Sequence, residues 1–309
     1  MKRLFLLLAV TLGAVGCSLF DPYEKKSPAP ERNGYGEPLY GDVEEVTEVY
    51  YLFDFDADDW VIEEVVVYTF NYAGDVVVKD FYSSEGFKQR REYSYNSAGG
   101  VTSWAYYDAK GTITSFAMIE YDQYDNKIKQ VNYNGDGSIK EWFAYRYNRA
   151  GYMVEEDHYL EEDQLYEKYR YEYDENGNML VEAHLCPDGT LYGQRLHKYD
   201  SDGNEVKKGV YYSDGQMDNE QRYEYNSVGD IIEEKQYNAY QLCARVTMEY
   251  DDKGNLVEVC EYRPDDSLKA MGNYKYDKRG SKIESVVYRE VASEMVPHTR
   301  TTFDIVYRE

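Results

Sequence analysis

Hydrophobic and polar residues alternate along most of this chain. In Tyr169–Tyr173 (YRYEY) and Met179–Ala183 (MLVEA), aromatic or aliphatic side chains recur at or close to every second position. A period near two is typical of β-strands, whereas an amphipathic helix repeats every 3.6 residues. The pattern therefore predicts a succession of short strands.

A motif of an aromatic residue, Asp or Asn, two variable residues and Gly repeats along the chain. Its aromatic anchors are 25 or 26 residues apart: Phe70, Tyr95, Tyr121, Tyr147, Tyr173, Tyr199, Tyr225, Tyr250 and Tyr276. The copy at Tyr121 has Asp125 in place of the glycine, Phe303 begins a weak final copy, and Leu52–Val67 resembles an incomplete first copy that would cap the array. A fixed period of this length indicates a repeat architecture.

Each part of the motif has a conformational role. Asp or Asn accepts a hydrogen bond from the backbone two residues further on, and Gly adopts positive φ without a steric penalty, so the motif predicts a tight turn. A second tyrosine follows twelve residues after most anchors, and a second turn such as Gly135–Gly137 follows it. One repeat is therefore two strands and two turns.

An aliphatic residue lies seven positions after almost every anchor, as Ile128 does after Tyr121. Its parity is opposite to that of the second tyrosine, Tyr133 in the same repeat. In a regular strand the two side chains would point to opposite faces. Either a β-bulge intervenes or both faces of the sheet are partly covered, and the sequence leaves both alternatives open.

These observations predict an all-β fold. About nine repeats give about 18 strands in a repetitive antiparallel hairpin meander, which we expect to be elongated, twisted and coiled or spiralled, because long open sheets curl. Tyrosine rows are expected to run across the strands.

The phrases Tyr171–Asn178 (YEYDENGN) and Lys198–Asn204 (KYDSDGN) resemble the YD repeats of the RHS family. The resemblance covers about residues 60–309 and implies a β-sheet shell or spiral, displayed at the cell surface and in contact with carbohydrate or protein. The period is longer than is usual in that family. The resemblance does not imply toxin encapsulation or self-cleavage for this chain. A weaker similarity is to MORN-type hairpin repeats, which are scaffolds.

Composition narrows the range of partners. The 309 residues include 34 Lys and Arg, 59 Asp and Glu, and 37 Tyr, with a net charge of −25. Such an acidic chain is unsuited to contact nucleic acid phosphates or an anionic membrane surface directly. A carbohydrate, protein or cationic partner stays open, and the alternative is that the acidic surface only keeps an elongated protein soluble.

The N-terminus predicts export and anchoring. Residues 1–16 combine basic Lys2 and Arg3 with an apolar run of 12 residues, which indicates a signal peptide and is too short to span a bilayer. Ala14–Cys17 (AVGC) resembles the lipobox of bacterial lipoproteins, which implies lipid attachment at Cys17. Ser18 at the next position implies an outer membrane lipoprotein, exposed at the cell surface or facing the periplasm.

The domain prediction follows. Residues 17–45 carry the lipidated cysteine and a flexible tether rich in Pro and Gly, and residues 46–309 form the repeat array. Of the remaining cysteines, Cys243 and Cys260 fall on adjacent predicted strands, and whether they form a disulfide is left open.

Candidate binding residues come from the second tyrosines, because Tyr offers a flat apolar face and a hydroxyl group. They are Tyr107, Tyr133, Tyr159, Tyr211 and Tyr237. The alternative is that these residues only stabilise the sheet through cross-strand pairs. His158 and His184 share one repeat position, but we predict no metal site and no cofactor, and the aspartates near Asp54 and Asp200 are interpreted as turns.

No arrangement of residues typical of an active site stands out from this sequence, so we expect no enzymatic activity. We expect a non-enzymatic surface lipoprotein that acts as a binding or adhesion scaffold for carbohydrate or protein. A passive structural or envelope-assembly lipoprotein without a small ligand is the alternative.

Overall fold

The computed structural model describes residues 36, 38–161 and 164–308, and it confirms the all-β class. Twenty strands are present in this part of the chain. They are β1 Val43–Asp54, β2 Asp59–Phe70, β3 Val76–Ser83, β4 Gly86–Tyr95, β5 Val101–Asp108, β6 Ile113–Tyr121, β7 Lys127–Asn134, β8 Ile139–Tyr147, β9 Met153–Leu160, β10 Leu165–Tyr173, β11 Met179–Leu185, β12 Leu191–Tyr199, β13 Glu205–Tyr212, β14 Met217–Tyr225, β15 Ile231–Asn238, β16 Gln241–Tyr250, β17 Leu256–Tyr262, β18 Leu268–Tyr276, β19 Lys282–Val291 and β20 Glu294–Tyr307.

Strands that follow each other along the chain pair as antiparallel hairpins, as predicted; β6–β7 and β7–β8 are examples. The chain divides into two compact units. Unit 1 comprises Met1–Tyr93, Tyr107–Gly111 and Ala244–Glu309, as far as these residues are described, and unit 2 comprises Ser94–Tyr106 and Thr112–Cys243.

The predicted coil or spiral is wrong, because the two ends of the array are neighbours. β1 pairs antiparallel with β20, from Val43 opposite Tyr307 to Leu52 opposite Thr299. An open array would leave a row of unpaired N–H and C=O groups on each end strand, and this pairing satisfies both rows. The predicted weak final copy, which begins at Phe303, thus pairs with β1, where Phe303 is opposite Glu48, and we call this β1–β20 pairing the joint.

The repeat motif folds as the predicted tight turn. Asp174 Oδ1 accepts hydrogen bonds from the backbone N of Asn176 at 2.9 Å and of Asn178 at 2.8 Å, and Oδ2 accepts one from Asn178 Nδ2 at 2.8 Å. The Asn178 amide, followed by the backbone donors, holds the pKa of Asp174 below its usual value. Gly177 has φ +81°, and Asp125, which replaces the glycine of another copy, adopts φ +60°.

The anchor tyrosines join successive repeats. Five hydroxyl groups each donate to the carbonyl oxygen of the residue 20 positions earlier, at 2.6–2.9 Å. The pairs are Tyr121 to Val101, Tyr147 to Lys127, Tyr173 to Met153, Tyr225 to Glu205 and Tyr276 to Leu256. Each anchor thereby fixes the previous repeat just after its turn.

A β-bulge resolves the parity question that the sequence left open. Tyr121 pairs with Lys127 and Glu120 pairs with Lys129, so Ile128 has no residue opposite it. The aliphatic residue seven positions after the anchor holds the same place in other repeats, as Leu180 and Ile232 do. This extra residue reverses the inward and outward alternation within the strand.

The two units bury different kinds of side chain. In unit 1, Val43, Val46, Phe70, Val76 and Phe303 form an apolar cluster.

The array begins at β1, three residues before the predicted boundary at position 46.

In unit 2 many buried side chains are polar or charged, among them Asp157, His158, Glu205, Lys208 and Glu234. Such groups are tolerated in an interior only when they are paired. Polar contacts therefore carry much of the interior of unit 2.

The predicted signal peptide, Cys17 and most of the tether lie outside the described residues. The other three cysteines, Cys186, Cys243 and Cys260, lie in the described ranges and form no disulfide there, so the last two are not joined. Burial, followed by the nearby Glu258 carboxylate, raises the pKa of Cys260 to about 11. No helix in the described ranges combines the length and apolar character needed to cross a membrane.

Replacement of Tyr225 by Phe tests the contact between repeats. The Tyr225 hydroxyl donates to the carbonyl oxygen of Glu205 at 2.6 Å. Its loss is expected to lower the free energy of unfolding by about 0.5–1.5 kcal/mol in urea titrations. Tyr124→Phe is the control, because the Tyr124 side chain is exposed on a turn. Equal stability of the two variants would contradict the assigned role.

Candidate binding face

Four side chains from consecutive strands of unit 2 form a hydrogen-bonded row. Glu141 on β8, His158 on β9, Glu167 on β10 and His184 on β11 alternate carboxylate and imidazole. His158 Nε2 lies 3.2 Å from Glu141 Oε2, His158 Nδ1 lies 3.2 Å from Glu167 Oε1, and His184 Nε2 lies 2.8 Å from Glu167 Oε2. We call these four residues the histidine–glutamate row.

The period of the repeat builds this row. His158 and His184 are 26 residues apart, and so are Glu141 and Glu167. In the sheet His158 pairs directly with Glu167, so the histidine of one repeat is opposite the glutamate of the next.

His158 faces a carboxylate oxygen at each of its ring nitrogens. A neutral imidazole has one N–H donor, and an ionised carboxylate only accepts. Both contacts are hydrogen bonds only when the imidazole carries two protons or one carboxyl group is protonated. The tautomer of His158 therefore decides which of its two contacts is a hydrogen bond when the ring is neutral.

Aromatic rings enclose both histidines. Phe143 stacks on His158 with a centroid distance of 4.3 Å, and Tyr169 stacks on His184 at 4.7 Å. The Tyr166 ring meets His158 edge-on at 5.4 Å, and the Tyr192 ring is tilted against His184 at 4.9 Å. Each imidazole thus has one inner and one outer aromatic neighbour.

The outer rings are exposed to solvent. Tyr166 is 53% exposed and Tyr192 is 62% exposed. Each is the extra residue of a β-bulge, because the pairing register skips position 166 in β10 and position 192 in β12. We call these two residues the tyrosine stations.

Burial and nearby charges shift the pKa values of groups in and beside the row. The hydrogen bond from Asn132, together with Lys140 and His158, outweighs burial and holds the pKa of Glu141 below its usual value. Burial, reinforced by the carboxylates of Glu167 and Glu182, raises the pKa of Tyr169 to about 12. The glutamate is thus kept ionised and the tyrosine protonated near neutral pH.

The predicted binding row of second tyrosines is half-buried. Tyr133 stacks on Phe116 at 4.6 Å, and Tyr159 stacks on Trp142 at 3.8 Å, each across a strand pair. The Tyr107 hydroxyl donates to Glu92 at 3.1 Å. In these positions the tyrosines are engaged within the sheet.

Tyr211 and Tyr237, the other two predicted binding residues, lie beside an ion cluster centred on the buried side chain of Glu220. Glu220 pairs with Arg222 at 2.7 Å and with Lys207, and the Tyr211 hydroxyl donates to it at 3.3 Å. The Arg222 guanidinium lies 4.4 Å from the centre of the Tyr237 ring. The tyrosine stations were not among the predicted binding residues, although their spacing of 26 residues is visible in the sequence.

Within the described ranges, no group of three or more His, Cys, Asp or Glu side chains is arranged to hold a metal ion. The side chains of Asp54 and Asp200 take part in turns, as predicted. Asp200 Oδ1 accepts from the backbone N of Asp202 and Asn204, and Asp54 Oδ1 accepts from the backbone N of Asp56 and Ala57.

No family model matches the chain, and no curated protein matches it. Among solved structures, a Tc holotoxin pore from Photorhabdus luminescens is 13% identical, over 85% of this chain and 16% of that one, with a TM-score of 0.42. A porin-like protein from Bacteroides uniformis is 12% identical, over 87% of this chain and 98% of that one, with a TM-score of 0.35. This chain thus spans a small part of the toxin chain, and neither likeness bears on function.

Substitution of Glu167 tests the histidine–glutamate row. Glu167→Ala leaves His158 Nδ1 and His184 Nε2 without this acceptor, and is expected to lower the free energy of unfolding by about 1–3 kcal/mol. Glu167→Gln keeps one acceptor oxygen and should cost less. Glu172→Ala removes an exposed carboxylate from the same strand and is the control. If Glu167→Ala and Glu172→Ala unfold alike, the row contributes nothing to stability.

Proposed function

We propose that this protein is a non-enzymatic surface lipoprotein that acts as a binding or adhesion scaffold for carbohydrate or protein. One observation carries the proposal: two exposed tyrosines, Tyr166 and Tyr192, recur at one repeat position above a fixed row of carboxylates and imidazoles. Exposed aromatic rings beside convergent polar groups are typical of recognition surfaces.

The arrangement suits binding because its polar groups are held in place before a ligand arrives. The imidazole of His158 is fixed by Glu141, Glu167 and the Phe143 ring. Little side-chain entropy would be lost when a ligand contacts such a surface. The outer tyrosines then supply the apolar contact area.

The anchor is part of the proposal. The basic start, the apolar run and the Ala14–Cys17 lipobox support lipid attachment at Cys17, and Ser18 supports an outer membrane location. The partner is proposed to be carbohydrate or protein and not nucleic acid, because the chain carries a net charge of −25. Contact with the membrane is proposed only through the lipid.

A passive structural role is the second candidate. It is favoured by the half-buried second tyrosines, which serve the sheet through stacking such as Tyr159 on Trp142. A protein built only for envelope assembly would use its tyrosines in this way throughout.

Removal of the stations separates the two candidates. The doubly substituted variant Tyr166→Ala/Tyr192→Ala is expected to bind its ligand about tenfold or more weakly, a loss of about 1.4 kcal/mol or more. The measurement is a glycan array together with capture of surface proteins by the purified protein. The matched control is Tyr124→Ala/Tyr240→Ala, which removes two exposed tyrosines at turns of the same unit. A wild-type protein without any ligand would favour the structural role.

Protease treatment of intact cells tests display. Peptides from the repeats are expected in the supernatant, and mass spectrometry of the residual anchor should find a lipid on Cys17. A Cys17→Ala variant is expected to lose membrane attachment. Repeats that stay intact on unbroken cells and are cleaved only after lysis would contradict exposure at the cell surface.

A further inference from the structure

The tyrosine stations form a repeating series across the sheet. Tyr166 on β10 and Tyr192 on β12 are 26 residues apart, and each is the unpaired residue of its bulge. The equivalent position one repeat earlier is Lys140 on β8, which the register also skips. The same backbone site therefore recurs in successive repeats, and at Tyr166 and Tyr192 it carries a tyrosine ring.

The strand register fixes the spacing of the stations. β11 lies between β10 and β12, so the stations are two inter-strand steps apart, about 10 Å. His184 on β11 is opposite both Tyr169 and Gly193. Tyr166 lies three residues before Tyr169, and Tyr192 lies one residue before Gly193. The stations are therefore offset along the strand direction by two residues, about 7 Å. Together these give roughly 12 Å, which is comparable to one disaccharide unit of an extended β-linked polysaccharide.

The groups beside each station suit sugar rings. A Tyr ring covers the apolar C–H face of a pyranose, and carboxylate oxygens accept hydrogen bonds from hydroxyl groups. The side chains of Glu141 and Glu167 are 20% and 23% exposed, so part of each side chain is in contact with solvent. A flat ring and an acceptor thus recur together.

The charge around the stations selects against acidic polymers. Glu141, Glu156, Glu167 and Glu182 lie on the same face of β8–β11 as His158 and His184, as their cross-strand pairing shows. Bringing a uronate or sulfate group to this face would place like charges together. A ligand without acidic groups avoids that cost.

We propose that the tyrosine stations bind an extended β-linked polysaccharide without acidic groups, which lies across β10–β12 with one disaccharide unit for each station. This inference rests on the proposed binding function and names its ligand class. The polymer runs across the strands because the stations are aligned in that direction. Affinity therefore depends on chain length in disaccharide steps.

Calorimetry with defined oligosaccharides tests the length dependence. The probes are β-1,4-linked glucose and N-acetylglucosamine oligomers of two, four and six sugar units. For the wild-type protein, affinity should rise about tenfold or more from two units to four and then level off. Tyr192→Ala should abolish this rise and leave binding of the two-unit probe. α-1,4-linked glucose oligomers, whose chains curve, are expected to show no such step.

A third station can be added at Lys140, whose side chain is 62% exposed. Lys140→Tyr is expected to shift the plateau from four units to six, whereas Lys140→Ala, which removes the same amine, leaves it at four. An affinity independent of length, or a plateau that Lys140→Tyr does not move, would overturn the proposal. Binding of a protein partner without any β-linked oligosaccharide would overturn it too, yet would leave the scaffold function standing. Failure to bind either class would reject both.

Discussion

One extra residue in each strand pair governs how this protein presents its side chains. At the start of a repeat the extra residue is an aliphatic such as Ile128, and near the second turn it is a residue such as Tyr166. A bulge leaves that residue without a cross-strand partner and reverses the alternation of faces beyond it. A second tyrosine such as Tyr159 therefore lies on the opposite face of the sheet from the histidine–glutamate row, whereas the stations contact the histidines of that row.

The same constraint explains the buried charge of unit 2. Side chains at equal repeat positions come close together when strands pair in a constant register, so one residue type is brought near its copies or near a complementary type. Glu167 lies between His158 and His184 for this reason, and its two carboxylate oxygens contact one imidazole each. Pairing across repeats lets a thin sheet bury polar groups that a single hairpin would leave unsatisfied.

Much of the fold was predictable from the sequence, because its signals are local. The aspartates, asparagines and glycines of the turns specify backbone conformations by themselves, and the structure confirms the turn even at Asp125, where the glycine is missing. The joint between β1 and β20 was not predictable, because it links segments about 250 residues apart that share no local pattern. In the sequence, the bulge showed only as apolar residues that a regular strand would place on opposite faces. A sheet covered on both faces would explain that pattern equally well.

The exposure of a tyrosine in this protein depends on strand pairing and not on the local sequence alone. Tyr159 and Tyr166 are close in sequence and equal in chemistry, yet one stacks on Trp142 and the other is 53% exposed. The difference is that Tyr166 occupies an unpaired bulge position, where the sheet does not depend on the side chain. Such a position is free to vary, as Lys140 and Asp218 at the equivalent places show. Function on this scaffold is therefore expected at the residues that the repeat does not need for folding.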